Sequence, residues 1–210
     1  MNKWHDDIFD NLEWRINELT ELKAIVISSN TGPVRREVIL RSLILMLYAH
    51  FEGFCKFLWD YYLDYIEKQH LPRSMLQDSL ACLSLSKYFS ILKKDSSLEK
   101  IFDLSSNFPG AMNDAAIFES KLETASNLKI RIFRENIKKI NILVPIAEDR
   151  CKTVDALVHM RNEIAHGKKG FIKDIDEYKV YERAVVLVMD SLAIEIMDAL
   201  EEKKFIKQSP

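Results

Sequence analysis

From Pro33 to about His70 the chain reads as one long helix. Its middle, LRSLILMLYAHFEGFCKFLWDYYLDYI, sets apolar and aromatic side chains on nearly every side. A helix that is apolar all round is surrounded by other elements, so the rest of the chain has to supply its partners. Breakers are scarce, with five glycines and five prolines in 210 residues. That favours long helices over a many-turned β protein. A hydrophobic content of 48% is enough for a core without disulfides or metals.

Ahead of the long helix, Trp4, Ile8, Leu12, Ile16, Leu19, Leu22 and Ile25 or Val26 recur at spacings of three and four, which predicts a helix over about 3–29. The tetrapeptide NTGP, Asn30 to Pro33, predicts its stop, with Gly32 as a left-handed cap and Pro33 opening the next helix. Leu71-Pro72 ends the long helix. Leu76, Leu80, Leu83, Tyr88 and Leu92 then predict an amphipathic helix from Ser74 to about Lys94. A short helical piece is expected near Ser97 to Phe102, and DLSSNFPGAMND reads as a loop.

Residues 128–141 are expected to be helical and carry Lys129, Arg131, Arg134, Lys138 and Lys139. A solvated face and an RNA-backbone groove are both open readings of that basic set. After Pro145, a helix over about 150–166 has Val154, Leu157, Val158 and Ile164 on its apolar side and Gly167 as its cap. Asp174 with Glu177 forms a capping box for a last helix reaching about Lys204. The expected fold is all-α, a single domain over 1–210. Its core helices fall at about 3–70 and 150–204, with a helical insertion at about 72–145.

A formal net charge of −2 argues against non-specific nucleic-acid binding by the chain as a whole, so any such contact belongs to a local patch. Cys55, Cys82 and Cys151 are odd in number and far apart, and they read as buried reduced thiols of a cytosolic protein. The N-terminal MNKWHDDIFD has no signal-peptide core. The longest charge-free apolar run of the second helix, Ser42 to Phe51, is too short to span a bilayer. The expectation is a soluble, cytoplasmic protein with no membrane partner.

The stretch that carries chemistry is RNEIAHG, Arg161 to Gly167. Asn162 and His166 are four apart and share a helix face. Arg161 lies roughly 140° round from His166, yet its side chain is long enough to bend toward the same end. His166 falls in the last turn, where the helix dipole favours an imidazolium by about 0.3–1 kcal/mol. A histidine can take or give a proton near neutrality. An arginine can hold a phosphate and stabilise the extra charge of its transition state. With RNA, the 2′-hydroxyl is the nucleophile, and no metal is required if a base, an acid and a cation are present. One helix supplies too few groups, whereas two copies facing each other supply two histidines and two arginines, which argues for a symmetric dimer.

RNEIAHG resembles the motif of the HEPN superfamily (higher eukaryotes and prokaryotes nucleotide-binding domain), with Arg161, Asn162 and His166 in register. LILMLYAHFEGFCKFLWDYY resembles the early core helix of stand-alone, defence-associated prokaryotic HEPN proteins, and DEYKVYERAVVLVMDSLAIEIMDAL resembles their last helix. The resemblance implies a dimerising helical bundle that cuts RNA without metal or other cofactor, as a toxin or in anti-phage defence, with an antitoxin or defence-system protein as a possible partner. It assigns catalysis to Arg161 and His166 and orientation to Asn162. Some members add an acidic residue from an earlier helix, for which Glu52 is the candidate, and pairing with Arg161 is equally open. One toxin subgroup has a tyrosine, modified by a partner nucleotidyltransferase, where this chain has Lys168. That route of silencing does not carry over.

Lys168 and Lys169 are the expected phosphate contacts. His50 reads as a satisfied core histidine. His159, Glu163 and His166 share a polar stripe on which zinc is conceivable, but no fourth ligand is visible. The tyrosines of WDYYLDY suit base stacking or, better, packing. The rival functional reading is a non-catalytic HEPN module that binds a nucleotide or a partner protein.

Overall fold

A computed structural model of the chain describes residues 3–28, 32–119, 122–168 and 172–207. Among these there are eight α-helices and no strand. They are α1 (Lys3–Ser28), α2 (Pro33–Glu67), α3 (Asp78–Ser84), α4 (Ser86–Ser90), α5 (Leu98–Asn113), α6 (Ile130–Lys139), α7 (Glu148–Ala165) and α8 (Ile175–Glu201). The fold is all-α, as the scarcity of breakers requires.

Two compact units divide the chain. The first comprises Met1–Leu58, Thr124–Phe133 and Val144–Ile194, and the second Trp59–Glu123, Arg134–Leu143 and Glu195–Pro210. In the first, α2 buries Leu43, Ile44, Leu47, Phe51 and Phe54, α1 buries Ile8, Leu19 and Val26, and α7 buries Val154, Leu157 and Val158. Lys23 of α1 pairs with Glu182 of α8 at 2.8 Å. In the second unit Phe205 presents an edge to Tyr62 and Tyr65, with centroids 6.4 and 6.1 Å away. Tyr62 is buried there, so it packs and does not face outward.

Gly53 of α2 leaves room for the Arg15 guanidinium. A Cβ there would stand 3.1 Å from Arg15 Nη1. The bare backbone lets Arg15 of α1 come within 3.3 Å of His50 Nδ1, while His50 Nε2 lies 2.8 Å from Glu18 Oε2. Burial and the Arg15 charge lower the His50 pKa, against the opposing effect of Glu18. A neutral imidazole accepts from Arg15 at Nδ1. Its Nε2, although 2.8 Å from Glu18 Oε2, is buried without a hydrogen-bond partner, so His50 is a core histidine satisfied at one nitrogen only.

Gly32 stands at the start of α2, its carbonyl accepting the Arg36 N–H at 3.2 Å, and its expected role as a left-handed cap rests on Asn30 and Thr31, which lie outside the described residues. Several local expectations are corrected. The helix expected over 74–94 is broken into a 3-10 turn, α3, α4 and a second 3-10 turn. Ser84 explains part of the break: its Oγ donates back to the Ala81 carbonyl at 2.8 Å and accepts from Arg73 Nε at 3.0 Å. Such back-bonding bends helices. The segment read as a loop after Phe102 is helical to Asn113 and contains Pro109. None of the residues of α5 is buried, so water can take the carbonyl that proline leaves free. Cys82 is exposed, while Cys55 and Cys151 are buried.

By length and composition α2 is apolar enough to cross a membrane, and half of its most apolar window is buried inside the protein. That is also the pattern of a core helix surrounded by neighbours.

Candidate functional site

Helix α7 carries the candidate site at its C-terminal end. The end is a Schellman motif: the Lys168 N–H reaches the Glu163 carbonyl at 2.9 Å and the Gly167 N–H the Ile164 carbonyl at 3.1 Å. Gly167 has φ 76, the left-handed value that a glycine adopts without a Cβ penalty. His166 therefore occupies the C-cap, with its N–H on the Asn162 carbonyl at 3.0 Å. Its ring is exposed.

Arg161 is held from four directions. Nη1 donates to Asn162 Oδ1 at 2.8 Å. Nη2 donates to the Ser126 carbonyl at 3.3 Å and lies 3.7 Å from Glu52 Oε2. The guanidinium carbon stands 3.7 Å from the centre of the Tyr48 ring, a contact worth about 1–2 kcal/mol where water is partly excluded. The Arg161 side chain keeps 19% of its surface and Glu52 keeps 22%. Glu52 Oε1 is buried without a hydrogen-bond partner. A buried carboxylate next to a guanidinium is far cheaper than one alone.

Tyr48 sits one turn before Glu52 on α2. Its hydroxyl accepts the Leu128 N–H at 2.6 Å. Burial pushes its pKa up to about 12, with the Leu128 bond opposing and the Glu52 carboxylate adding. Asn162 Nδ2 donates to Asn127 Oδ1 at 3.2 Å, which leaves Oδ1 of Asn162 for Arg161.

The sequence candidates thus divide. Arg161, Asn162 and Glu52 come together. His166 stands free at the end of the same helix. Lys168 is exposed, with Nζ 3.4 Å from Glu163 Oε1, and its carbonyl accepts from Arg41 Nη2 at 3.3 Å. Lys169 lies outside the described residues. His159 Nε2 is 3.9 Å from Glu163 Oε1. Among the described residues no three histidine, cysteine or carboxylate side chains gather as a metal-ligand group.

Sequence reasoning missed Tyr48, Asn127 and Arg41. Tyr48 had a faint signal, its i, i+4 spacing to Glu52. Asn127 had none, because a bond between residues 35 positions apart leaves no trace in a local pattern.

A family model described as HEPN_MAE_28990-like HEPN matches residues 4–205. The chain belongs to this family of the HEPN superfamily. Comparison with curated proteins and with solved structures finds no match.

Proposed function

We propose that the protein is a metal-independent endoribonuclease whose active site is built on Arg161, Asn162 and His166, with RNA lying across a cleft between two copies. The observation that carries this reading is the state of the motif in a HEPN chain. Arg161 is fixed in one geometry with an edge still exposed, five residues before a freely exposed His166. In the reaction the 2′-oxygen forms a bond to the adjacent phosphorus and the bond to the 5′-oxygen breaks. One group removes the 2′-proton and another protonates the leaving oxygen. His166 fills one of these roles and its counterpart in the second copy fills the other. Arg161 binds the scissile phosphate and stabilises its developing charge. Lys168 and Lys169 add phosphate contacts. The setting is cytoplasmic, and the role is that of a toxin or anti-phage effector held in check by an antitoxin or another defence-system protein.

One observation favours the rival reading. Glu52 lies 3.7 Å from Arg161 and offsets part of the charge that a phosphate would meet. In a non-catalytic module, that pairing and His166 would serve a dimer interface, and the domain would bind a nucleotide or a partner protein. A labelled RNA separates the two. The ribonuclease reading expects cleavage by wild type and a loss of about 100-fold or more in Arg161→Ala and His166→Ala. Cleavage by His166→Ala at the wild-type rate would overturn it.

A further inference from the structure

Three consecutive residues ahead of α6 each bond a different member of the site. The Ser126 carbonyl accepts from Arg161, Asn127 Oδ1 accepts from Asn162, and the Leu128 N–H donates to Tyr48. Bonds on either side shape this segment. The Asn127 N–H reaches the Thr124 carbonyl at 3.1 Å, and the Ile130 N–H reaches Asp155 Oδ1 of α7 at 3.0 Å. Leu128 is fully buried. Ala125 and Ser126 both lie in the left-handed region, at φ 54 and 55. Side-chain-bearing residues avoid that region, so the turn is held by its outward bonds and not by its own preference.

We infer that Tyr48 and Asn127 are positioning residues for Arg161, the tyrosine as the platform beneath the guanidinium and the asparagine as the link that orients Asn162. An amide has two nearly equivalent settings. Donation from Nδ2 to Asn127 selects the one that turns Oδ1 of Asn162 toward Arg161. The Tyr48 ring, 3.7 Å away, fixes the plane of the guanidinium. Its hydroxyl ties the strap of residues 126–128 to the same point. Together they set which N–H groups of Arg161 are used within the protein and which face outward.

The activity arm of the test rests on the ribonuclease reading, and the spectroscopic arm does not. In wild type, the Arg161 side-chain NMR signals, assigned with Arg161→Lys, are expected to be displaced by the Tyr48 ring current. Asn127→Ala should move them toward those of a free arginine, while Asn127→Asp, which keeps the acceptor, should hold them. Tyr48→Phe should keep the displacement and Tyr48→Leu should lose it. In RNA cleavage, Asn127→Ala should lower kcat by about 10- to 100-fold with little change in KM, and Asn127→Asp should recover most of it. Arg161 signals unchanged in Asn127→Ala would overturn the inference. A rise in kcat would overturn it too, making the strap an inhibitory latch. Wild-type protein that cuts no RNA would count against the ribonuclease reading alone, and the Arg161 signals would still decide the positioning.

Discussion

His166 owes its place to the residue after it. Gly167 takes a conformation that other residues adopt only under strain, and that closes α7 with the histidine at the cap. A Cβ at Gly167 would meet nothing within 4 Å. Gly167→Ala should therefore act through backbone strain alone, lowering the unfolding free energy by about 1 kcal/mol in denaturant titrations. A loss of RNA cleavage larger than that loss of stability explains would show that the cap geometry itself matters. Tyr48 gives a second test. Its pKa is raised from 10.0 to about 12, so the unfolded chain releases this proton first as pH rises. The contribution to stability is complete below pH 10 and is lost between pH 10 and 12. Tyr48→Phe should accordingly show a shallower alkaline loss of stability than wild type over that range. Equal slopes would mean that Tyr48 is not as buried as its packing indicates. Arg161, Asn162 and His166 are legible as candidates because their chemistry is packed into six residues. Tyr48 and Asn127 are not, because their meaning lies in contacts across the fold.

Among the elements, the long helices could be read because apolar spacing and end signals agree. α8 begins where the capping box placed it. Asp174 Oδ1 accepts the Glu177 N–H at 3.0 Å and the Asp176 N–H at 3.1 Å. Glu177 reaches back to the Lys173 N–H at 2.7 Å. Asp174→Ala should cost about 1 kcal/mol by thermal or denaturant unfolding, and no measurable loss would mean that other contacts already fix this end of α8. The misread segments lie within residues 74–113. There periodicity was a poor guide for opposite reasons. Ser84 bonds back to its own helix and breaks it, while α5 tolerates Pro109 because it is exposed. Neither effect is visible in spacing alone. Val180, Leu187 and Ile194 of α8 likewise fit the apolar pattern yet are exposed, since periodicity reports a face and not what covers it.

At the scale of the whole molecule, the proposed chemistry asks for more groups than one chain offers. The motif at the end of a single α7 brings one exposed histidine, His166, and one tethered arginine, while the other exposed histidine of that helix, His159, stands beside Glu163, so a dimer is expected in solution. Sedimentation velocity should show it, and a strictly monomeric protein that still cuts RNA would refute the shared cleft. The most direct measurement is the chemistry of the cut ends. Wild type and His166→Ala would be incubated with total RNA in EDTA and the termini mapped. Wild type should leave 2′,3′-cyclic phosphate and 5′-hydroxyl ends, and the variant none. His166 is exposed, so the variant should stay folded, within about 0.5 kcal/mol of wild-type stability. Ends bearing a 3′-hydroxyl, cleavage that stops in EDTA, or equal cleavage by both proteins would contradict the proposed chemistry.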